Sequence, residues 1–156
     1  MYRILISDPL NAAGLEILRE SGAKVELLSA QDKPKLTELL PDFDALVVRS
    51  GTTVTADVLR AGKRLKVVGR AGVGVDNVDV AAATEYGIVV MNAPGGNTVT
   101  TAEHAVSLML SLARNIPQAT ASMREGRWEK QLLTGVEITG KTLGIIGLGH
   151  IGLGTL

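Results

Sequence analysis

Short, largely apolar runs alternate with longer amphipathic stretches along the first part of the chain. Five of these runs are too short for helices and are bounded by glycine, proline or polar turn residues, so they predict β-strands. Near-continuous apolar runs are typical of parallel strands that are buried on both faces of a sheet. The five predicted strands are Arg3–Ser7, Lys24–Leu28, Asp44–Val48, Leu65–Gly69 and Ile88–Met91.

Segments of helical length separate these strands, as crossover connections in a parallel sheet require. Gly22 and Gly87 follow two of the segments at the position of a glycine C-cap, and Thr55 precedes a third as an N-cap. The predicted helices are Asn11–Ser21, Lys33–Leu40, Ala56–Ala61 and Val78–Tyr86. The expected fold class for residues 1–97 is therefore α/β, with a doubly wound, five-stranded parallel sheet.

Residues 98–156 have a different pattern and are expected to start a second domain. Thr100 to Glu103 has capping-box spacing, which predicts a helix over Thr101–Ala113. That helix is apolar almost all round, so we expect its burial on more than one side, between two packed bodies or two subunits. Pro117–Lys130 predicts a more polar helix and arm, and Leu143–Ile146 predicts a sixth strand.

The predicted sixth strand leads into a GxGxxG sequence whose glycines suit a dinucleotide site. Gly147 would allow the tight turn, Gly149 the approach of a pyrophosphate, and Gly152 the packing of a following helix; His150 and Ile151 are the intervening residues. Only four residues follow, too few for a stable helix in isolation, and the acidic residue expected about twenty positions later is not in this chain. We therefore expect the chain alone to bind no NAD.

Composition excludes several classes of function. The 16 basic and 16 acidic side chains cancel, so there is no basic excess for nucleic-acid binding. The chain has no cysteine, hence no thiolate nucleophile or sulfur-ligated metal, and no metal site is expected. It shows neither a signal peptide nor an apolar run long enough for a membrane span, so the expected location is cytoplasmic.

Four ordered stretches resemble the D-2-hydroxyacid dehydrogenase family: RSGTTVT from Arg49, GRAGVGVDNVD from Gly69, Gly126-Arg127-Trp128, and GKTLGIIGLGHIG from Gly140. The resemblance covers residues 1–152. It implies a flavodoxin-like substrate-binding domain over residues 1–97 and the truncated start of a Rossmann-like NAD-binding domain over residues 98–156. The catalytic arginine, glutamate and histidine of the family come from later sequence, so no catalytic residue is expected here. His104 and His150 do not match the catalytic histidine.

The resemblance also implies roles for several residues. Arg49 and Ser50 match positions that hold the substrate's phosphate end, although an arginine there could instead form a surface ion pair. Val73 and Gly74 match the backbone that cradles the substrate carboxylate, with a glycine turn before a helix as the alternative. Asn97 and Thr101 match residues near the nicotinamide, with helix capping as the alternative reading of this region.

The stretches RSGTTVT and NIPQATASMREGRWE are most similar to family members that oxidise 3-phosphoglycerate with NAD, the opening step of serine biosynthesis. The expected partner is thus a small phosphorylated 2-hydroxy acid, and the chain itself is expected to be inactive. Two alternatives remain: a stand-alone flavodoxin-like module that is structural or binds small anions, and a fragment of another family member such as a glyoxylate or hydroxypyruvate reductase. The chain could form a homodimer. We expect part of residues 98–130 to cover exposed apolar surface, either by folding back on its own chain or by swapping with another copy.

Overall fold

The computed structural model describes all of residues 1–156, which divide into two compact units, Met1–Gly96 and Asn97–Leu156. The first unit contains a five-stranded, all-parallel sheet in the order β2-β1-β3-β4-β5. This is the flavodoxin-like order of a doubly wound sheet, so the predicted fold class is confirmed. The strands are β1 (Arg3–Ile6), β2 (Lys24–Leu27), β3 (Ala45–Val48), β4 (Val67–Arg70) and β5 (Val89–Met91).

Four helices connect the strands: α1 (Ala12–Glu20), α2 (Leu36–Leu39), α3 (Ala56–Ala61) and α4 (Val80–Glu85). The hydroxyl of Thr55 accepts a hydrogen bond from the backbone amide of Val58, which confirms the predicted N-cap of α3. The predicted helix over Lys33–Leu40 is wrong as a single element. Its region is a 3₁₀ turn, the short α2 and a second 3₁₀ turn that includes Pro41, whose missing N–H interrupts helical hydrogen bonding.

The core of the first unit lies where α2, α3 and α4 pack on the sheet. Leu46, Val48 and Val68 of the central strands are fully buried there, together with Leu40 and Leu59. The first helix contributes little, because α1 contains no buried residue and Ile17 is 67% exposed. Burial on one side of the sheet therefore provides most of the stability of this unit.

The second unit contains α5 (Thr98–Ala113), α6 (Ile116–Arg124) and α7 (His150–Gly154). Within the single chain the apolar helix is mostly exposed, and its expected burial between two subunits stays a prediction. In α5 only Ala102 is buried, while Leu108 is 57% and Leu112 is 76% exposed. These two leucines are one helical turn apart and so share a face. No helix of the chain is long and apolar enough to cross a bilayer.

The predicted sixth strand, Leu143–Ile146, is not a strand in the structure. The expectation that it forms the first strand of the Rossmann-like part is therefore wrong. An extended segment becomes a strand only when a neighbour accepts and donates ladder hydrogen bonds. No strand lies within the second unit to pair with it. The apolar side chains of Leu143 and Ile146 consequently remain exposed.

Candidate active-site edge

The carboxyl ends of β1, β3 and β4 lie at the same edge of the sheet and end in polar or glycine-rich loops. Asp8 follows β1, Arg49 and Ser50 follow β3, and residues 71–74 follow β4. Doubly wound sheets bind ligands beyond the carboxyl ends of their strands, near the point where the strand order reverses. In this sheet the order reverses between β1 and β3.

Asp8 is a buried carboxylate, only 4% exposed, that organises this edge. Its Oδ1 accepts a hydrogen bond of 2.6 Å from Nζ of Lys33, and its Oδ2 accepts one of 2.7 Å from the backbone amide of Arg49. Burial alone would raise the pKa of Asp8, but these donors, Thr52 and the charge of Lys33 together lower it below its ordinary value. The carboxylate is therefore ionised at neutral pH.

Arg49 is exposed and its guanidinium is largely unengaged. Its Nη1 donates one long hydrogen bond of 3.4 Å to the carbonyl of Pro9, and no carboxylate lies within ion-pair distance. The alternative of a surface ion pair is thus not what the structure contains. The hydroxyl of the neighbouring Ser50 is also exposed and has no hydrogen-bond partner in the protein. Both side chains are free to bind an anion.

The loop after β4 presents backbone N–H groups rather than side chains. The amides of Val73 and Gly74 donate to no acceptor in the protein, while the carbonyl of Val73 accepts a hydrogen bond of 2.7 Å from Nδ2 of Asn92. Free adjacent amides of this kind can bind a carboxylate or another small anion.

Gly72 and Gly74 could adopt a left-handed, nest-like conformation, but they do not do so in the structure. Neither glycine has a positive φ. At Gly72 a Cβ atom would meet the guanidinium of Arg70, so a larger residue there would displace this flexible side chain.

Sequence reasoning missed three residues at this edge, Asp8, Lys33 and Asn77. Asp8 had a usable signal, because a polar residue directly after a buried strand lies at the ligand-binding edge of a parallel sheet. Lys33 and Asn77 had none, since their contacts depend on loops that meet only in the folded chain. Asn77 donates from Nδ2 to the carbonyls of Arg49 and Thr52, each at 2.6 Å.

In the second unit, Asn97 and Thr101 lie at the start of α5. Asn97 occupies the N-cap position without a side-chain hydrogen bond, and its carbonyl accepts from the amide of Thr101 at 2.9 Å. The helix begins at Thr98, so the predicted capping box from Thr100 is wrong. Thr100 lies within the first turn, and its hydroxyl donates to the carbonyl of Asn97 instead of capping.

The glycine-rich sequence forms a tight turn followed by a single helical turn. Gly147 has a φ of +97°, Gly149 is the N-cap of α7, and His150 and Ile151 open that helix. A Cβ atom at Gly152 would collide with the carbonyl oxygen of Gly147, so the third glycine is required for close packing here. The one helical turn that forms, α7, is not isolated, because it packs against α5, with Gly154 beside Ala102.

These residues nevertheless do not fit a complete dinucleotide site. The fingerprint requires a strand before the glycines and a full helix after them, whereas here an irregular segment precedes the turn and α7 has five residues. His104 and His150 are both exposed, and neither imidazole hydrogen-bonds to a carboxylate. No group of three or more His, Asp or Glu side chains is placed to hold a metal ion.

Known proteins match this chain over nearly its whole length. The family model of the D-isomer specific 2-hydroxyacid dehydrogenase catalytic domain matches residues 4–146. A D-3-phosphoglycerate dehydrogenase of Methanocaldococcus jannaschii is 54% identical over 152 residues, 97% of this chain and 29% of that protein. The corresponding enzyme of Archaeoglobus fulgidus is 50% identical over 150 residues, 96% of this chain and 28% of that protein. The chain therefore spans less than a third of the length of these relatives.

Solved structures of similar fold also match the chain over nearly its whole length. A Staphylococcus aureus NAD-dependent formate dehydrogenase in complex with NAD has a TM-score of 0.87 and 33% identity, covering 98% of this chain and 51% of that one. A Sinorhizobium meliloti NADPH-dependent glyoxylate/hydroxypyruvate reductase in complex with NADP and malonate has a TM-score of 0.82 and 33% identity, covering 99% of this chain and 48% of that one. Sequence and fold together establish that the chain belongs to the D-isomer specific 2-hydroxyacid dehydrogenase family.

Proposed function

We propose that this chain is the substrate-binding portion of a D-3-phosphoglycerate dehydrogenase. The complete enzyme would oxidise the 2-hydroxyl carbon of 3-phosphoglycerate to a ketone, with NAD as hydride acceptor, and so open serine biosynthesis. Relatives with that name are identical to the chain at about half of the aligned positions, which make up 28–29% of their own length. The observation that carries the proposal is the unpaired Arg49 beside the unbonded amides of Val73 and Gly74.

The arrangement suits a small molecule with two anionic ends. Strands β3 and β4 are adjacent, and their register pairs Val48 with Arg70, so Arg49 and Ala71 leave the sheet side by side. Neighbouring strands are separated by about 4.8 Å. Arg49 can donate two parallel hydrogen bonds to a phosphate, while the amides of Val73 and Gly74 are free for a carboxylate. A phosphorylated 2-hydroxy acid carries both groups.

The proposal assigns hydride transfer to the complete enzyme and none to these 156 residues alone. Catalysis of this kind needs the donor and the acceptor held together in the correct orientation. The chain offers no Glu–His pair for proton transfer and only a partial dinucleotide turn. We accordingly expect no NADH production when the chain is mixed with 3-phosphoglycerate and NAD.

Isothermal calorimetry tests the substrate class. We expect the chain to bind 3-phosphoglycerate at least about tenfold more tightly than glycolate, because only the former engages Arg49 through a charge-assisted bidentate contact. The Arg49→Gln variant should lose this preference, and the Arg19→Gln variant, altered on the exposed helix α1, should keep it. Equal affinity for both ligands would favour a fragment of a glyoxylate or hydroxypyruvate reductase. If the chain binds neither ligand, the alternative of a purely structural module is favoured.

We also propose that the exposed face of α5 mediates self-association as a homodimer. Leu108 and Leu112 form an apolar strip that a single chain leaves in water. Burying apolar area contributes about 25 cal/mol per Å², so pairing two such strips stabilises a dimer. An exchange of part of residues 98–130 between two copies would bury the same strip.

A further inference from the structure

Asn77 connects the two loops that form the candidate substrate site. We define the Arg49 loop as residues 49–54 and the Arg70 loop as residues 70–77. The side-chain amide of Asn77 donates to the carbonyls of Arg49 and Thr52 in the first loop, each at 2.6 Å. Its Oδ1 accepts a hydrogen bond of 3.2 Å from Nε of Arg70 in the second. One planar group is thus bonded to both loops.

The main chain at Asn77 strengthens this connection. The carbonyl of Asn77 accepts a hydrogen bond of 2.8 Å from the amide of Val54, and Val54 and Val78 form an isolated parallel β-bridge. Asn77 is therefore held by its backbone at one end of the Arg49 loop while its side chain reaches the other end. A planar amide fixed in this way sets a definite distance between the loops.

Other polar side chains at this edge bond only one of the two loops. Asp8 holds the amide of Arg49 next to β1, and Asn92 holds the carbonyl of Val73 next to β5. Neither of them bridges the Arg49 loop and the Arg70 loop. Each anion-binding element has its own support, and of these three side chains only that of Asn77 bonds both loops.

We propose that Asn77 is a positioning residue that fixes the spacing between the phosphate-binding Arg49 and the carboxylate-binding amides of Val73 and Gly74. This inference rests on the proposed function. Asn77 itself does not touch the substrate. Its removal leaves each subsite able to bind one anion, but the two subsites no longer match the length of a single molecule. A ligand with two anchored ends loses affinity when its sites are not held at the right separation.

Calorimetry with three ligands separates spacing from simple binding. 3-Phosphoglycerate has both anionic ends, glycerol 3-phosphate has only the phosphate, and D-glycerate has only the carboxylate. For Asn77→Ala we expect the dissociation constant of 3-phosphoglycerate to rise about tenfold or more, and those of the single-ended ligands to rise less than about threefold. The isosteric Asn77→Asp should have the same pattern, because it places a carboxylate oxygen against two carbonyl oxygens.

A matched control and a measurement without ligand complete the experiment. Gln118→Glu makes the same amide-to-carboxylate change on the exposed surface of α6 and should leave all three dissociation constants unchanged. In ¹⁵N relaxation of the free protein, Asn77→Ala should increase the mobility of Ser50, Gly51 and Val73 relative to the unaltered chain. This second readout needs no assumption about the ligand.

The possible outcomes distinguish this inference from the proposed function. If the unaltered chain binds 3-phosphoglycerate and the Asn77 variants bind all three ligands as it does, the inference is overturned and the proposed function stands. Equal weakening of all three ligands also overturns it, since Asn77 would then support each subsite rather than their spacing. If the unaltered chain does not bind 3-phosphoglycerate, both are overturned.

Discussion

The carboxylate of Asp8 accepts a hydrogen bond of 2.7 Å from the backbone amide of Arg49, so a residue in the loop after β1 fixes the position of the residue after β3. The same carboxylate binds Nζ of Lys33 at 2.6 Å. A buried acid thus places a free arginine at the carboxyl edge of the sheet.

Replacement of Asp8 should destabilise the fold measurably. Asp8→Ala leaves the amide of Arg49 without a partner and leaves Lys33 only its hydrogen bond of 3.3 Å to the carbonyl of Gly51, which should lower the free energy of unfolding by about 2–3 kcal/mol. Urea unfolding followed by circular dichroism measures this value. The control is Asp42→Ala, which removes an exposed carboxylate 3.7 Å from Arg3 and should cost less than about 1 kcal/mol. Equal effects of the two changes would contradict the role given to Asp8.

Stability should fall in acid, in part through the same residue. The pKa of Asp8 in the folded state lies below its ordinary value of 3.8, so the unfolded chain binds its proton more readily. Its stabilising contribution is complete above pH 3.8 and is lost as the pH falls through the lower folded-state pKa. Unfolding free energies measured from pH 6 downward should decrease less steeply for Asp8→Asn than for the unaltered chain. If the unfolding free energies of both proteins decrease equally steeply with falling pH, protonation of Asp8 does not contribute to the loss of stability in acid.

A methyl group at Gly72 should affect ligand binding more than stability. The added Cβ displaces the guanidinium of Arg70, a flexible group, and so weakens its hydrogen bond to Asn77. We expect Gly72→Ala to raise the dissociation constant of 3-phosphoglycerate about tenfold, which corresponds to one hydrogen bond to a charged group. Gly144→Ala, at a position with open space around it, is the control and should change nothing. A large loss of stability in Gly72→Ala would argue for a purely structural glycine.

The exposed strip on α5 should make the chain self-associate. Sedimentation velocity at increasing protein concentration should show the average sedimentation coefficient rising toward that of a dimer. Leu112→Glu places a charge on the strip and should keep the chain monomeric, because burying an unpaired carboxylate is costly. An unaltered chain that stays monomeric at every concentration would contradict this proposal.

The sequence predicted the sheet well and the second unit less well, for a physical reason. In the first unit each short apolar run has neighbouring strands and covering helices within the same residues, so local pattern and tertiary packing agree. Leu143–Ile146 has the same apolar character but no strand to pair with. A strand is a property of at least two segments, and one sequence segment cannot reveal whether its partner is present.

From the sequence, site residues could be predicted only where they lie in a recognisable motif just beyond a strand. Arg49, Ser50, Val73 and Gly74 were predicted from the resemblance of their motifs to a known family, and the structure places all four at one edge of the sheet. Their binding roles remain predictions. Asn77 could not be found in this way, since its function depends on the approach of two loops that are 25 or more residues apart in the sequence.

A two-dimensional amide NMR titration tests the central claim most directly. The chain should give a dispersed spectrum, and 3-phosphoglycerate should shift amides around Arg49 and Val73–Gly74, whereas NAD should shift none. Such a result would support the sheet edge as a substrate site that these residues form without the cofactor. A dispersed spectrum in which 3-phosphoglycerate shifts no amide, or shifts only amides outside that edge, would contradict the account.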